Sequence, residues 1–243
     1  TASSGGIVPH AGWDYSGKLA ARVFSALSSA CPNPDALCII GGHLASYHPV
    51  LFVDAHEAQT PLGSIPLHRE LTRKVVQNLS ETMEDPNEGD NTLEIQLPMI
   101  KYFFPQTPLM AFRAPVSSLA EELGLSLAQV ALKENLKILV VASADLTHYG
   151  PNYNFMPQGV GEEALNWVKT TNDREIIELS LQGKSNEVWN HGKTHSSSCS
   201  SGAMAAAVAF GRETLFQPHL IEYYTSHEVY ASNSFVGYAG IVF

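Results

Sequence analysis

The chain has 243 residues, with 14 Lys and Arg against 24 Asp and Glu, so its formal net charge is −10 at pH 7. This length fits one domain, and an apolar content of 44% is enough to build a core. The acidic balance argues against nucleic-acid binding, which needs clustered Lys and Arg. No apolar run reaches the roughly 18–20 residues that cross a bilayer, so we expect no membrane contact.

The cysteine and histidine content further restricts the class of protein to which the chain can belong. Three cysteines, Cys31, Cys38 and Cys199, are too few for a disulfide framework. Such a low cysteine count, together with the lack of a basic-then-apolar leader at the N-terminus, predicts a cytoplasmic location. The chain also has 10 histidines, although only 16% of its residues are charged. Histidine is the commonest metal ligand and titrates near neutral pH, so its positions are the most informative feature to follow.

Short apolar runs alternate with helical patterns along the chain, which is typical of an α/β domain. In chain order we predict a strand at 6–9, a helix at 16–30, a strand at 36–41, a helix at 67–79, a surface loop at 81–90, a helix at 93–104, a strand at 109–114, a helix at 118–135, a strand at 137–143, helices at 159–170, 173–182 and 202–210, and strands at 220–225 and 235–243. Ser16 is the expected N-cap of the first helix, and Pro98 is expected near the start of its helix or at a kink. No linker or repeat divides the chain, so residues 1–243 are predicted to form a single domain.

Polar side chains with metal-binding or acid–base chemistry follow several of the predicted strands. His10 follows the first strand, His43 the second, and Asp145 and His148 the strand at 137–143, while Cys199 lies in the loop before the helix at 202–210. In open α/β sheets, ligands bind where the carboxyl ends of the strands and their loops converge. We therefore expect these five side chains to lie close together.

Several chemistries fit such a set. Two neutral imidazoles and one thiolate or carboxylate would make a three-donor site for a transition metal, with positions left open for substrate. Asp145 and His148 would serve as an acid–base pair or support a ligand. Cys199 precedes a helix, so we expect a lowered pKa, which suits a ligand, a nucleophile or a redox thiol equally.

Three further residues are candidates for the surroundings of the site. Trp13 and Tyr15 follow His10 closely and would line a pocket for an aromatic ligand, or simply pack. His195 lies four residues before Cys199 and would orient the thiol, or belong to an ordinary loop.

The motifs of this chain resemble, in order, those of the Memo family. The matching segments are Val8-Pro9-His10-Ala11-Gly12-Trp13-Asp14-Tyr15-Ser16-Gly17, Gly42-His43, Thr60-Pro61-Leu62-Gly63, Leu93-Glu94-Ile95-Gln96-Leu97-Pro98, Ser143-Ala144-Asp145-Leu146-Thr147-His148-Tyr149-Gly150, Cys199 and Gly237-Tyr238-Ala239-Gly240. They cover almost the whole chain.

The resemblance implies a three-layer α/β/α domain with a mixed, largely parallel central sheet, like that of the class III extradiol dioxygenases. It maps His10, His43 and Cys199 onto the metal ligands and places Asp145 and His148 beside them as catalytic groups. Fe(II) is the expected metal, with Cu or Zn as alternatives because a thiolate is softer than a carboxylate. The expected activity is that of a dioxygenase-like, non-haem oxidoreductase acting on a small, aromatic molecule.

One departure from the family pattern keeps other functions open. Asn91 stands where the family has a pocket histidine, and an amide cannot carry a proton near pH 7. The alternative is an inactive binding or scaffold protein that uses the same pocket for a peptide or a small anionic or aromatic ligand. An anion would bind at the Ser-rich loop at 196–201, next to a helix N-terminus. A third hypothesis is a hydrolase with Cys199 as nucleophile and His148 or His195 as base.

Overall fold

The computed structural model describes residues 4–86, 90–214 and 217–243. Within them, nine strands form one sheet and two short strands form a separate hairpin. The strands, numbered along the chain, are β1 (Gly5–Val8), β2 (Ala36–Leu44), β3 (Val50–Phe52), β4 (Glu57–Ala58), β5 (Ile65–Pro66), β6 (Thr82–Glu84), β7 (Leu109–Pro115), β8 (Ile138–Ser143), β9 (His148–Tyr149), β10 (His219–Thr225) and β11 (Phe235–Val242).

The centre of the main sheet is parallel and its edges are mixed. The strand order is β10-β11-β1-β8-β2-β7-β3-β6, with β9 also paired to β11. Neighbours are parallel from β1 to β7, whereas β11 runs antiparallel to β1 and β3 antiparallel to β7. Strands β2 and β8 read as continuous apolar runs because they are buried on both faces. The carboxyl ends of β1, β8 and β2 consequently lie side by side at one edge.

Helices cover both faces of this sheet, which gives the three layers that the sequence predicts. They are α1 (Trp13–Ala30), α2 (Arg69–Val76), α3 (Asn91–Glu94), α4 (Leu97–Phe103), α5 (Ser118–Glu134), α6 (Glu162–Trp167), α7 (Asp173–Leu181), α8 (Ser185–His195), α9 (Ser201–Glu213) and α10 (Ser226–Val229). On one face α9 packs centrally between α5 and α8. On the other face α1 packs against β1 and β11, and α4 packs beside α1 in the same apolar cluster. Among the described residues, none of the helices is long and apolar enough to cross a membrane.

Several predicted helix boundaries differ from the structure; for example, the helix predicted at 67–79 is α2, Arg69–Val76. Helix α1 begins at Trp13 after Gly12, so Ser16 is not its N-cap, and the Ser16 hydroxyl instead donates to the Ala11 carbonyl. The predicted helix at 93–104 divides into α3 and α4, with Pro98 in the first turn of α4. The gap predicted between the helices at 159–170 and 173–182 is a π-helical turn, Val168–Asn172, that joins α6 to α7.

Other elements lie where no regular structure was expected. The segment predicted as a loop at 81–90 contains β6, which pairs in parallel with β3, while residues 87–89 lie outside the described part of the chain. Helix α8 is absent from the prediction because it has few apolar residues at helical spacing. His195 is therefore the last residue of a helix and not part of a loop.

Candidate metal centre

The predicted convergence of strand ends occurs in the structure. One donor atom each from His10, His43 and Cys199 can be chosen so that all three lie within 4.8 Å of one another. His10 follows β1, His43 is the penultimate residue of β2, and Cys199 lies two residues before α9. Two imidazoles and a thiol in this arrangement have the composition of a three-ligand transition-metal site.

His10 is the buried member of the group. Its Nε2 lies 3.2 Å from the Cys199 Sγ, and its Nδ1 lies 3.3 Å from the Ser143 hydroxyl oxygen. Its backbone N–H donates to the Asp145 carboxylate at 2.7 Å, which ties the end of β1 to the end of β8. Burial, together with the nearby His43, lowers the pKa of His10 to about 4. The ring is therefore neutral at pH 7, which is the form that binds a metal.

His43 lies opposite His10 in a strained backbone conformation. The two rings meet edge to face, with centroids 5.2 Å apart. The φ angle of His43 is +58°, in the left-handed region that few residues other than glycine adopt. Such strain costs about 1–3 kcal/mol and is found most often at functional sites, where the surroundings hold it in place. The Nδ1 atom of His43 also lies 3.6 Å from the Asp90 carboxylate.

Cys199 is held against the loop that follows β8. Its backbone N–H and its Sγ approach the carbonyl oxygen of Asp145 at 3.3 and 3.6 Å, and the Ser198 hydroxyl donates to that oxygen at 2.7 Å. The expectation of a lowered thiol pKa is wrong. Burial and the nearby Asp145 charge raise the pKa of Cys199 to about 12, and they outweigh the opposing hydrogen bonds of the Ser200 hydroxyl and of the nearby backbone. Without a metal this residue is a neutral thiol, which disfavours the nucleophile hypothesis.

Asp145 lies between two imidazoles. Its Oδ2 is 3.8 Å from His10 Nε2 and 3.9 Å from His148 Nε2. Burial raises the pKa of Asp145 to about 6, although the His10 N–H and the positive form of His148 oppose the rise. Burial also lowers the pKa of His148. Within the described residues His148 Nε2 is buried and has no hydrogen-bond partner, so it is available to a bound molecule.

A cavity of about 500 Å³ opens beside these groups. The predicted residues on its wall are His10, Tyr15, His43, Asn91, Asp145 and His148. The remainder of the wall is Ala11, Gly12, Ile95, Asn152, Tyr153, Ser226, Tyr230, Ser232, Ser234, Val236 and Tyr238. Hydroxyl and amide groups dominate this wall, and among the described residues no Lys or Arg lines it.

Two predicted pocket residues lie elsewhere. Trp13 is half exposed and lines a neighbouring apolar groove with Leu62 and Tyr102. His195 stacks on His191, with ring centroids 4.3 Å apart, and contacts the Thr194 hydroxyl, so it does not orient Cys199 directly.

The Ser-rich loop uses its hydroxyls within the protein. Ser197 bonds to His191 Nδ1 at 2.7 Å, Ser198 donates to the Asp145 carbonyl, and Ser201 donates to the Trp189 carbonyl at 3.4 Å. These contacts fix the Cys199 loop. They leave these three hydroxyls engaged within the protein.

Sequence reasoning missed Asp90, Tyr153 and Tyr238, which contact His43 or line the cavity. Tyr153 packs on the His148 ring, with centroids 4.9 Å apart. Tyr238 belongs to the Gly237-Tyr238-Ala239-Gly240 motif on β11. That motif was the one feature of the sequence that could have indicated that β11 reaches the site.

Comparison with known proteins agrees with this architecture. A profile of the Memo-like protein family matches residues 2–242. A MEMO1 family protein of Thermococcus onnurineus is 28% identical over 98% of this chain and 86% of its own, and one of Pyrobaculum aerophilum is 28% identical over 98% and 83%. The crystal structure of an uncharacterized protein from Escherichia coli K12 is similar with a TM-score of 0.61 at 13% identity, covering 92% of this chain and 91% of that one, which supports the fold alone.

Proposed function

Because the chain belongs to the Memo-like protein family, we propose that it is a metal-dependent oxidoreductase that resembles the non-haem iron dioxygenases. His10, His43 and Cys199 would hold the metal. The observation that carries the proposal is the convergence of these three donor atoms within 4.8 Å, from three separate parts of the fold.

The donor set fits a first-row transition metal. His10 is neutral at pH 7 because of its burial, so the imidazole ring does not have to lose a proton before it binds a metal. The Cys199 thiol would lose its proton on metal binding, and metal affinity would therefore rise with pH. We propose Fe(II) as the metal, with Cu and Zn as the alternatives that a thiolate favours.

A metal bound here would supply a Lewis acid and, for iron or copper, a redox centre. The protein's own contribution is proton handling at the cavity wall. Asp145 has a pKa raised to about 6 and His148 presents an unpartnered Nε2, so this pair can accept or return a proton at neutral pH. Tyr15 and Tyr153 give the wall flat apolar faces, and with no Lys or Arg among the described wall residues it suits an uncharged aromatic molecule.

A binding protein without catalysis is the second candidate. It is favoured by Asn91, which lies on the cavity wall and cannot transfer a proton. Such a protein would bind a peptide or small aromatic ligand in the same cavity, and chelation would leave that binding unchanged.

Metal content tests the first proposal. Protein purified from metal-replete medium should contain stoichiometric transition metal, and His43→Ala and Cys199→Ala should lose it. His219→Ala is the matched control because His219 is exposed on β10. Metal-free wild type, or unchanged metal content in both site variants, would overturn the proposal.

A further inference from the structure

The ring of His43 has a second contact outside the three-donor cluster. Its Nδ1 lies 3.6 Å from Asp90 Oδ2, and the Asp90 side chain is largely buried. At 3.6 Å this contact is longer than a hydrogen bond, but the negative charge of a carboxylate beside Nδ1 favours the neutral tautomer that carries its proton at Nδ1 and presents a free lone pair at Nε2. Metal-binding histidines are commonly oriented by a carboxylate in this way.

Neighbouring groups hold both oxygens of the Asp90 carboxylate. Its Oδ1 accepts the Thr92 backbone N–H at 2.8 Å and also the Thr92 hydroxyl, which caps helix α3. Its Oδ2 lies 3.0 Å from Arg113 Nη2. The carboxylate therefore cannot turn away from His43 without losing a cap or an ion pair.

The same two partners also hold the backbone that precedes His43. Arg113 Nε donates to the Gly42 carbonyl at 3.1 Å, and the Gly42 N–H donates to the Thr92 hydroxyl oxygen at 3.2 Å. This peptide leads directly into the left-handed conformation of His43. One network therefore contacts both the ring and the strained backbone of a single proposed ligand.

We infer that Asp90, held by Arg113 and Thr92, is a positioning residue that fixes the Nδ1–H form and the direction of the His43 ring for metal binding. The inference rests on the proposed metal site. It assigns a role to the buried Asp90–Arg113 pair, which contacts neither Cys199 nor His10 in any recorded hydrogen bond or ion pair among the described residues.

The first test is metal affinity, measured with Co(II) or Zn(II) in competition with a chromophoric chelator. Asp90→Ser keeps a good helix cap but is too short to reach His43. We expect it to weaken binding about 10- to 100-fold. Glu94→Gln is the matched control, because it removes an exposed carboxylate from the same helix, and its affinity should stay within about twofold of wild type.

The second test does not depend on the metal. In metal-free protein at pH 8, nitrogen-15 NMR of the histidine rings should show His43 as the Nδ1–H tautomer in wild type and a mixture in Asp90→Ser. A loss of affinity without a tautomer change would mark the effect as merely structural and would overturn the inference.

The outcomes separate this inference from the proposed function. Wild-type affinity in Asp90→Ser, with binding lost in His43→Ala, would overturn the role of Asp90 and leave the metal site intact. Unaltered affinity in His43→Ala would instead overturn the metal site, and the tautomer measurement would still decide whether Asp90 orients the ring.

Discussion

Asp173 is a buried carboxyl group whose charge should control stability. It is fully buried and accepts the Thr147 backbone N–H at 3.0 Å, the Thr147 hydroxyl at 2.5 Å and the Tyr223 hydroxyl at 2.8 Å. Among the described residues no recorded ion pair gives it a cation. Burial raises the pKa of Asp173 from 3.8 to about 7, although these hydrogen bonds oppose the rise.

The direction of the pH effect follows from the higher pKa of Asp173 in the folded protein than in the unfolded chain. Between pH 4 and pH 7 the unfolded chain carries an ionised Asp173 while the folded protein keeps it protonated. The contribution of this group to stability is therefore largest at low pH and is lost as the pH rises through about 7. At about 1.4 kcal/mol per pKa unit, the loss between pH 5 and pH 8 is about 3 kcal/mol.

Asp173→Asn keeps the size of the side chain and removes its titration. We expect the stability of this variant relative to wild type to increase by about 3 kcal/mol between pH 5 and pH 8, as measured by urea unfolding of metal-free protein. Glu94→Gln, which removes an exposed carboxylate, should show no such trend. A pH-independent difference between Asp173→Asn and wild type would refute the reasoning.

Two further predictions concern the site. Gly42→Ala would place a methyl group 2.3 Å from the Ser200 hydroxyl oxygen and 2.8 Å from its Cα, which would push the Cys199 loop away from His43. Metal affinity should therefore fall at least about tenfold in the chelator competition. An affinity equal to that of wild type would show that the loop can shift without disturbing the metal site. In metal-free protein at pH 8, iodoacetamide should modify Cys199 more slowly than Cys31, although both side chains are partly exposed. Desolvation raises the pKa of both thiols, but that of Cys199 reaches about 12, whereas Lys137 opposes the rise at Cys31. Peptide mass spectrometry that found Cys199 reacting first would contradict that pKa.

The convergence of the candidate residues was largely predictable because it depends on strand order. His10 and Asp145 each follow a buried parallel strand and His43 lies at the end of one, and parallel strands that are adjacent in a sheet bring such residues to one edge. The resemblance of the motifs pointed to Cys199 as the third member of the cluster, which spacing alone left open.

The missed features depend on long-range contacts that local patterns do not show. The predicted helix at 93–104 breaks before Pro98, which has no N–H to donate to the Glu94 carbonyl. At this break the buried Gln96 side chain donates to the Pro9 carbonyl at 2.8 Å and the Ser143 hydroxyl at 3.1 Å, contacts that tie the segment to β1 and β8. Asp90 and Arg113 are separated from His43 by 47 and 70 positions in the sequence, so no motif connects them. The sign of the Cys199 pKa shift likewise depends on burial by distant residues.

X-ray absorption at the metal edge is the most direct test of the proposed centre. For the zinc-loaded protein we predict two nitrogen scatterers at about 2.0–2.1 Å, with the imidazole pattern of His10 and His43, and one sulfur at about 2.3 Å from Cys199. The sulfur shell should disappear in Cys199→Ser. A first shell without sulfur, or protein that takes up no metal at all, would contradict the account.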